Sequence, residues 1–305
     1  MRLLTRSDFD GLVSAVLLVE KGLVDEFKFV HPKDVQDGVV EATSNDILAN
    51  IPYIPGCGMW FDHHASEKGR VPADLEFEGV CRAAPSAAEV IWEHFGGVET
   101  FGEQLLPLMD AVNRSDAGNL NRMEILEPEG WILLSFIMDP RTGLGRFQDF
   151  SVSNYVLMEH MIEYCRSMSV DEILEIADVR ERKERYLEQH DKHLAMLREN
   201  SRVEGACIIT DLRGCDTIFA GNRFLIYALH PEQNIELRVL WGKEKKNVVL
   251  TCGHSILNRT SKIDVAKLML QYGGGGHERV GTCQIATDVA DNALIEILNI
   301  IKEKS

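Results

Sequence analysis

The chain has 305 residues, 45% of them hydrophobic and 26% charged, with a formal net charge of −16. Those proportions belong to a soluble globular protein long enough for two domains, each with its own core. So acidic a surface speaks against long duplex DNA, which is held by many Lys and Arg contacts to phosphate, but leaves open a small anionic substrate in a locally positive cleft.

Met1 to Thr5 reads as a strand and Arg6 to Gly11 as the turn after it. Leu12 to Lys21 reads as an apolar helix closed by Gly22, and Glu26 to Val30 as a second strand. This order predicts a parallel sheet with a right-handed crossover. Asp8 and Asp10 stand close together at the strand-to-helix junction, where two carboxylates need a cation or a shared proton. The plainer alternative is an N-cap and a loop residue.

Asp46 precedes the apolar Ile47-Leu48 and, taken alone, is an N-cap candidate. Met59-Trp60-Phe61 follows the turn residues Pro55 to Gly58 and reads as a buried strand running into Asp62-His63-His64. Ligand crevices of open α/β sheets lie beyond the carboxyl ends of strands. Neighbouring side chains of a strand point to opposite faces, so His63 and His64 would do different jobs, such as metal ligand and phosphate contact. Ser86 to Glu89 has the form of a capping box. Glu103 to Val112 reads as an amphipathic helix, with Asp116 in the segment after it and Asp110 as a rival carboxylate on the helix. Trp131 to Met138 is an apolar helix or strand. Asp139 to Arg146 is rich in turn residues, and reads as a lid over the cleft or as a plain connector.

Helices are predicted from Ser151 to Cys165 and from Ser169 to about Glu199, the second opened by a Ser169–Glu172 capping box. From Ser201 the pattern turns to strands: Ala206–Thr210, Thr217–Ala220, Leu225–Leu229, Ile235–Trp241 and Asn247–Cys252. A helix over Ile263–Tyr272 leads into Gly273 to Gly276, His277, Glu278 and Arg279, before a strand over Thr282–Ile285 and a final helix over Ala290–Lys302. Consecutive glycines let backbone approach a ligand, and exposed N–H groups there form an anion nest; the alternative is a hinge. The seven cysteines, Cys57, Cys81, Cys165, Cys207, Cys215, Cys252 and Cys283, follow no paired spacing and read as reduced thiols of a cytoplasmic protein. No apolar run of about 18 residues marks a membrane span. The N-terminus also has no signal-peptide pattern.

The three stretches Asp8-Phe9-Asp10-Gly11, Asp62-His63-His64 and Gly273 to His277, in this order, resemble the DHH phosphoesterase superfamily with its DHH-associated C-terminal domain. That superfamily includes RecJ-like exonucleases, oligoribonucleases, cyclic-dinucleotide phosphodiesterases, exopolyphosphatases and, more distantly, family II pyrophosphatases. The resemblance spans nearly the whole chain, and particularly concerns proteins carrying the name exopolyphosphatase-related. It implies an α/β fold: a parallel-sheet catalytic domain over 1–165, a helical linker over 166–200 and a smaller α/β substrate-binding domain over 201–305. It implies metal ligands Asp8, Asp10, Asp46, His63 and Asp116, a set suited to Mn²⁺ or Mg²⁺. Two such ions about 4 Å apart would activate a water for in-line phosphoryl displacement.

In that scheme Asp62, His63 and His64 are catalytic, with Asp62 orienting a histidine and His64 on the scissile phosphate. Gly274, Gly275, Gly276, His277 and Arg279 would bind the rest of the substrate. Family members usually carry a histidine two residues before the first Asp, where this chain has Arg6. A guanidinium cannot ligate a metal, but it can pair with Asp8. The expected activity is therefore metal-dependent hydrolysis of a phosphodiester in a short oligonucleotide or linear dinucleotide. The alternatives are an exopolyphosphatase and a catalytically weakened module that binds a phosphorylated ligand. The expected partner is a short phosphorylated substrate, not long duplex DNA or a membrane, and a homodimer is allowed.

Overall fold

The computed structural model describes residues 1–64, 71–72 and 75–304. The polar loop after His64 falls partly outside them. The chain divides into two compact units, one of Met1–Asn119 with Pro128–Tyr186, the other of Leu120–Glu127 with Leu187–Ser305.

The first unit is built on strands β1 (Arg2–Thr5), β2 (Glu26–Phe29), β3 (Asp46–Ala49), β4 (Met59–Asp62) and β5 (Gly79–Cys81). They form one parallel sheet in the order β2-β1-β3-β4-β5. Strands β1, β3 and β4 are short and almost wholly buried, as strands covered on both faces must be. The Phe9–Glu20 helix is buried throughout from Phe9 to Leu18, with Asp10 and Ser14 the polar side chains of that stretch. It fills the crossover between β1 and β2, and Gly22 takes the left-handed φ of 72° that ends it. Gly11 allows its tight start: a β-carbon there would lie 2.0 Å from the Arg6 carbonyl oxygen.

The second unit adds β6 (Ser201–Glu204), β7 (Cys207–Asp211), β8 (Ile235–Trp241), β9 (Asn247–His254), β10 (Gly275–His277) and β11 (Val280–Ala286). These form a mixed sheet in the order β10-β11-β9-β8-β7-β6. Its core gathers Ile209, Leu237, Leu250 and Cys252 from the strands with Leu294, Ile297 and Ile301 from the Ala290–Lys304 helix. The fold is α/β in both units, as expected. The short segment 120–127 is tied to the second unit by Arg122 Nε donating to the Ala228 carbonyl and Asn222 Nδ2 donating to the Ile125 carbonyl.

Four local expectations are corrected. Leu225–Leu229 is a helix, with Asn222 Oδ1 accepting from the Phe224 N–H just before it. A short apolar run fits a buried helix as well as a strand. Thr217–Ala220 pairs with no strand. The long helix after Ser169 is two helices, Val170–Glu175 and Ala177–Asn200, parted where Ile176 becomes extended at φ −64° and ψ 137°. Finally, the helix expected to stop at Val112 runs from Leu106 to Asp116, which makes Asp116 a helix residue. Among the described residues, no helix is long and apolar enough to cross a membrane.

Candidate active site

The polar ends of β1 and β4 meet the N-terminus of the Ala87–His94 helix and the last turn of the Leu106–Asp116 helix, all within the first unit. Asp8 caps the Phe9–Glu20 helix by accepting from the Gly11 N–H at 3.0 Å. The same Oδ1 accepts from Asn50 Nδ2 at 3.1 Å, while Oδ2 pairs with Arg6 Nε at 3.0 Å. Asp10 accepts from two backbone N–H groups, Ala87 and Ala88, each at 2.9 Å. A helix N-terminus thus points at a carboxylate, which favours negative charge there. Burial nonetheless outweighs these donors and the nearby His63, and the charges of Asp116 and Asp8 add to it. The Asp10 carboxyl is pushed up to about 7. Burial likewise raises Asp8, against the pull of Arg6.

The two histidines have different partners. His63 Nδ1 lies 3.2 Å from the Ala84 carbonyl, which can only accept. In the neutral ring the hydrogen therefore sits on Nδ1, and Nε2 presents its lone pair. That Nε2 is buried and makes no hydrogen bond. It lies 3.4 Å from Asp116 Oδ2 and 3.6 Å from Asp10 Oδ2, with 10% of the side chain exposed. Ligand atoms of Asp10, His63 and Asp116 all fall within 4.8 Å of one another. One nitrogen and two carboxylates at this spacing fit a hard divalent cation such as Mn²⁺ or Mg²⁺. His64 Nδ1 is 2.8 Å from Asp62 Oδ1, and Asp62 is fully buried. Burial alone would lower the His64 pKa, but the bond and charge of Asp62 more than offset this and raise it. Asp62, His63 and His64 also lie close together as a group.

Ser86 caps its helix by accepting from the Glu89 N–H, and donates to Asn113 Oδ1. The Glu89 carboxylate accepts from Asn113 Nδ2. These contacts fix the Leu106–Asp116 helix against the Ala87–His94 helix, three residues before Asp116. Asp110, by contrast, is 65% exposed and faces Arg114 on the helix surface; it takes no part in the site.

Asp46 is not brought to this site, which corrects its expected place among the ligands. It begins β3 in register with Arg2 at the start of β1, so it stands at the opposite end of the sheet. Arg2 Nε and Nη2 donate to it at 2.6 and 3.0 Å, and the Thr43 N–H and hydroxyl at 2.6 and 2.9 Å. The residue that leaves β3 toward the site is Asn50, which sequence reasoning missed. It holds a left-handed φ of 56°, is 2% exposed, and has a buried Oδ1 without a hydrogen-bond partner. Asn tolerates that conformation better than most residues, and an Asn closing an apolar strand is the signal that could have found it. Arg141 was missed too. It sits in the 3-10 turn Pro140–Thr142, bonds Asp139 at 2.7 Å, and its charge reaches Asp8 and Asp116. The segment that follows is tied down, with Arg182 and Arg185 stacked on Phe150 and Phe147 and Arg185 paired with Asp149.

No protein-family model and no curated protein matches the chain. Among solved structures, a pGpG-specific phosphodiesterase, PggH, from Vibrio cholerae is 44% identical with a TM-score of 0.88, covering 100% of this chain and 99% of that one. This chain belongs to the DHH phosphoesterase superfamily. An exopolyphosphatase-related protein from Bacteroides fragilis shares the fold at 12% identity and a TM-score of 0.54, over 99% of this chain and 92% of that one. So does RecJ from Thermus thermophilus, solved with Mn²⁺, at 12% identity and a TM-score of 0.57, over 99% of this chain but 52% of that one.

In the second unit of this DHH protein, the glycine run is partly an edge strand rather than a free loop. Gly275–His277 forms β10 and pairs with β11. A β-carbon on Gly274 would lie 2.1 Å from the Thr282 carbonyl oxygen, and one on Gly276 2.3 Å from that of Val280. Those two glycines are required by the packing of the hairpin. Gly273 and Gly275 face open space. The Arg279 carbonyl accepts from the His254 N–H.

Proposed function

We propose that the protein is a metal-dependent phosphohydrolase that cleaves the internal phosphodiester of linear dinucleotides and other very short oligonucleotides. The observation that carries this reading is the end-to-end match, at 44% identity, to a protein named for that activity on pGpG. The convergence of Asp10, His63 and Asp116, beside the Asp62–His64 pair, supports it with a mechanism.

When bound by Asp10, His63 and Asp116, Mn²⁺ or Mg²⁺ would supply Lewis acidity toward a phosphoryl oxygen and a water of lowered pKa. Asp10 and Asp116 would hold such an ion together with His63, and their carboxylate oxygens could accept hydrogen bonds from a nearby water. Asp62 holds His64 in the tautomer with hydrogen on Nδ1 and favours its imidazolium. Nε2–H can then be donated to an oxygen of the scissile phosphate, offsetting charge as the leaving alkoxide departs. Arg6 and Arg141 bring positive charge to the same corner and would bind the phosphate. In the second unit, Gly274, Gly275, Gly276, His277 and Arg279 are the proposed phosphate- or nucleotide-binding residues.

The test is a Mn²⁺-supplemented comparison of linear pGpG, short RNA, a nucleoside bisphosphate and polyphosphate, with an Asp62→Asn, His63→Ala double variant as control. The expected outcome is conversion of pGpG to GMP with the highest kcat/KM of the set, lost in the variant. Preference for polyphosphate, or turnover that survives in the variant, would overturn the reading.

A further inference from the structure

The candidate ligands of the first unit are not equivalent. Asp10 spends two electron-pair sites on backbone donors, and its oxygens still lie among the ligand atoms of His63 and Asp116. His63, nine-tenths buried, aims an unbonded Nε2 at the same point. That atom would be costly to bury there unless something met it. Asp8 is different. Its Oδ1 accepts from both Gly11 and Asn50, and its Oδ2 already carries a permanent cation, Arg6, at 3.0 Å. Among the described residues, Asp8 joins no group of convergent ligands. A carboxylate at the end of β3 could have completed a second ion's shell, but that strand exits through Asn50, and the Asn50 amide donates to Asp8. A second divalent ion on Asp8 would have to sit against a guanidinium and compete with donors already in place.

We propose that this centre holds one divalent ion, on Asp10, His63 and Asp116, and that Arg6, fixed on Asp8, takes the place of a second. The Arg6 side chain is 29% exposed, with its Nε anchored on Asp8. It would supply a fixed, bidentate-capable charge to a phosphate oxygen in place of a second ion. Asn50 and Gly11 hold Asp8, and Asp8 holds Arg6. The phosphate role rests on the phosphohydrolase reading; the ion count does not.

The experiment is metal counting on the purified wild-type protein after saturation with Mn²⁺ and removal of unbound ion, with Mn²⁺ electron paramagnetic resonance on the same sample. One ion per chain and the six-line signal of isolated Mn²⁺ are expected. Two ions, a spin-coupled pair, or no bound ion would overturn the proposal. Arg6→His removes the cation and adds a ligand, and should raise the count to two with the appearance of spin coupling; a count that stays at one would overturn the role given to Arg6. Asp8→Asn should retain the single ion with less than a threefold change in affinity. If Asp8→Asn loses the ion as Asp10→Asn does, Asp8 is a ligand and the assignment is wrong. A correct ion count with no turnover of pGpG would leave this inference standing while the proposed activity fell.

Discussion

At the amino end of the five-stranded sheet, Asp46 receives donors on both oxygens from Arg2 and Thr43. At the carboxyl end, Asp10 receives, among the described residues, the Ala87 and Ala88 N–H groups, with Asp116 and a His63 nitrogen that makes no hydrogen bond a few ångströms away. Both carboxylates are nearly inaccessible to solvent. Burial raises the pKa of each, but at Asp46 the guanidinium and threonine donors win and the group ends below its usual range, whereas Asp10 ends near 7. The difference teaches that buried charge alone does not mark a functional site. What matters is whether the protein has already supplied the compensation. Asp46 is answered from within the fold; Asp10 is answered only in part, which is why it is proposed to hold a cation. Asp8 lies between them, answered by the internal cation Arg6.

The sharpest break in this comparison is Asp10→Asn. The carboxylate proposed to hold the ion becomes a neutral amide of nearly the same shape, which can accept from only one of the Ala87 and Ala88 N–H groups. Calorimetry should show no Mn²⁺ binding, and turnover should fall by about 10³-fold or more, since a metal contributes several kcal/mol to a charged transition state at 1.36 kcal/mol per decade. Retained Mn²⁺ affinity would show that the ion sits elsewhere.

Next in size is Asp62→Asn. The side chain stays on the His64 nitrogen but loses the charge that favours the imidazolium. General acid catalysis typically contributes about 10²–10⁴-fold, and weakening rather than removing the acid should cost part of that, so kcat should drop by about 10–100-fold with the Mn²⁺ count unchanged. A loss of bound Mn²⁺ instead would make Asp62 part of the ion's own shell.

Much of the site is legible in the amino-acid sequence. The strand–turn–helix start predicts where Asp8 and Asp10 lie, and the apolar run before Asp62 predicts a buried strand with its polar end in the crevice. Both follow from hydrophobic periodicity and from where parallel sheets keep their sites. The reading of Asp46 failed for a definite reason. A carboxylate beside an apolar segment looks the same whether the strand begins or ends there, and β3 begins at Asp46. Placing the crevice at strand exits leads to Asn50, but an amide beside a left-handed turn carries no charge to attract notice. Arg141 was hidden differently, because its proximity to Asp8 and Asp116 comes from how a 3-10 turn folds back after the Gly130–Met138 helix. The glycine run was legible as backbone approaching something closely. That the something includes the neighbouring strand β11 is a matter of register, which the run itself does not encode.

The smallest effect on function should come from Asp46→Asn. This carboxylate lies at the wrong end of the sheet to meet an ion, so Mn²⁺ binding and kcat should match the wild type. Its cost should instead appear in stability. Hydrogen bonds to charged groups contribute about 1.5–3 kcal/mol each, and the amide keeps part of the geometry while losing the charge that Arg2 faces, so a loss of about 2 kcal/mol is expected. The pH dependence separates this from a general packing defect. Because the folded-state pKa of Asp46 is depressed, its contribution is complete above the unfolded carboxylate value of about 3.9 and is lost as pH falls through the lower folded value. Chemical denaturation followed from pH 7 downward should therefore show a wild-type advantage that is constant near neutrality and shrinks below about pH 4. An advantage independent of pH would mean that Asp46 acts by shape rather than charge. A loss of Mn²⁺ binding in this variant would mean that the two ends of the sheet are coupled, and the contrast between them would have to be abandoned.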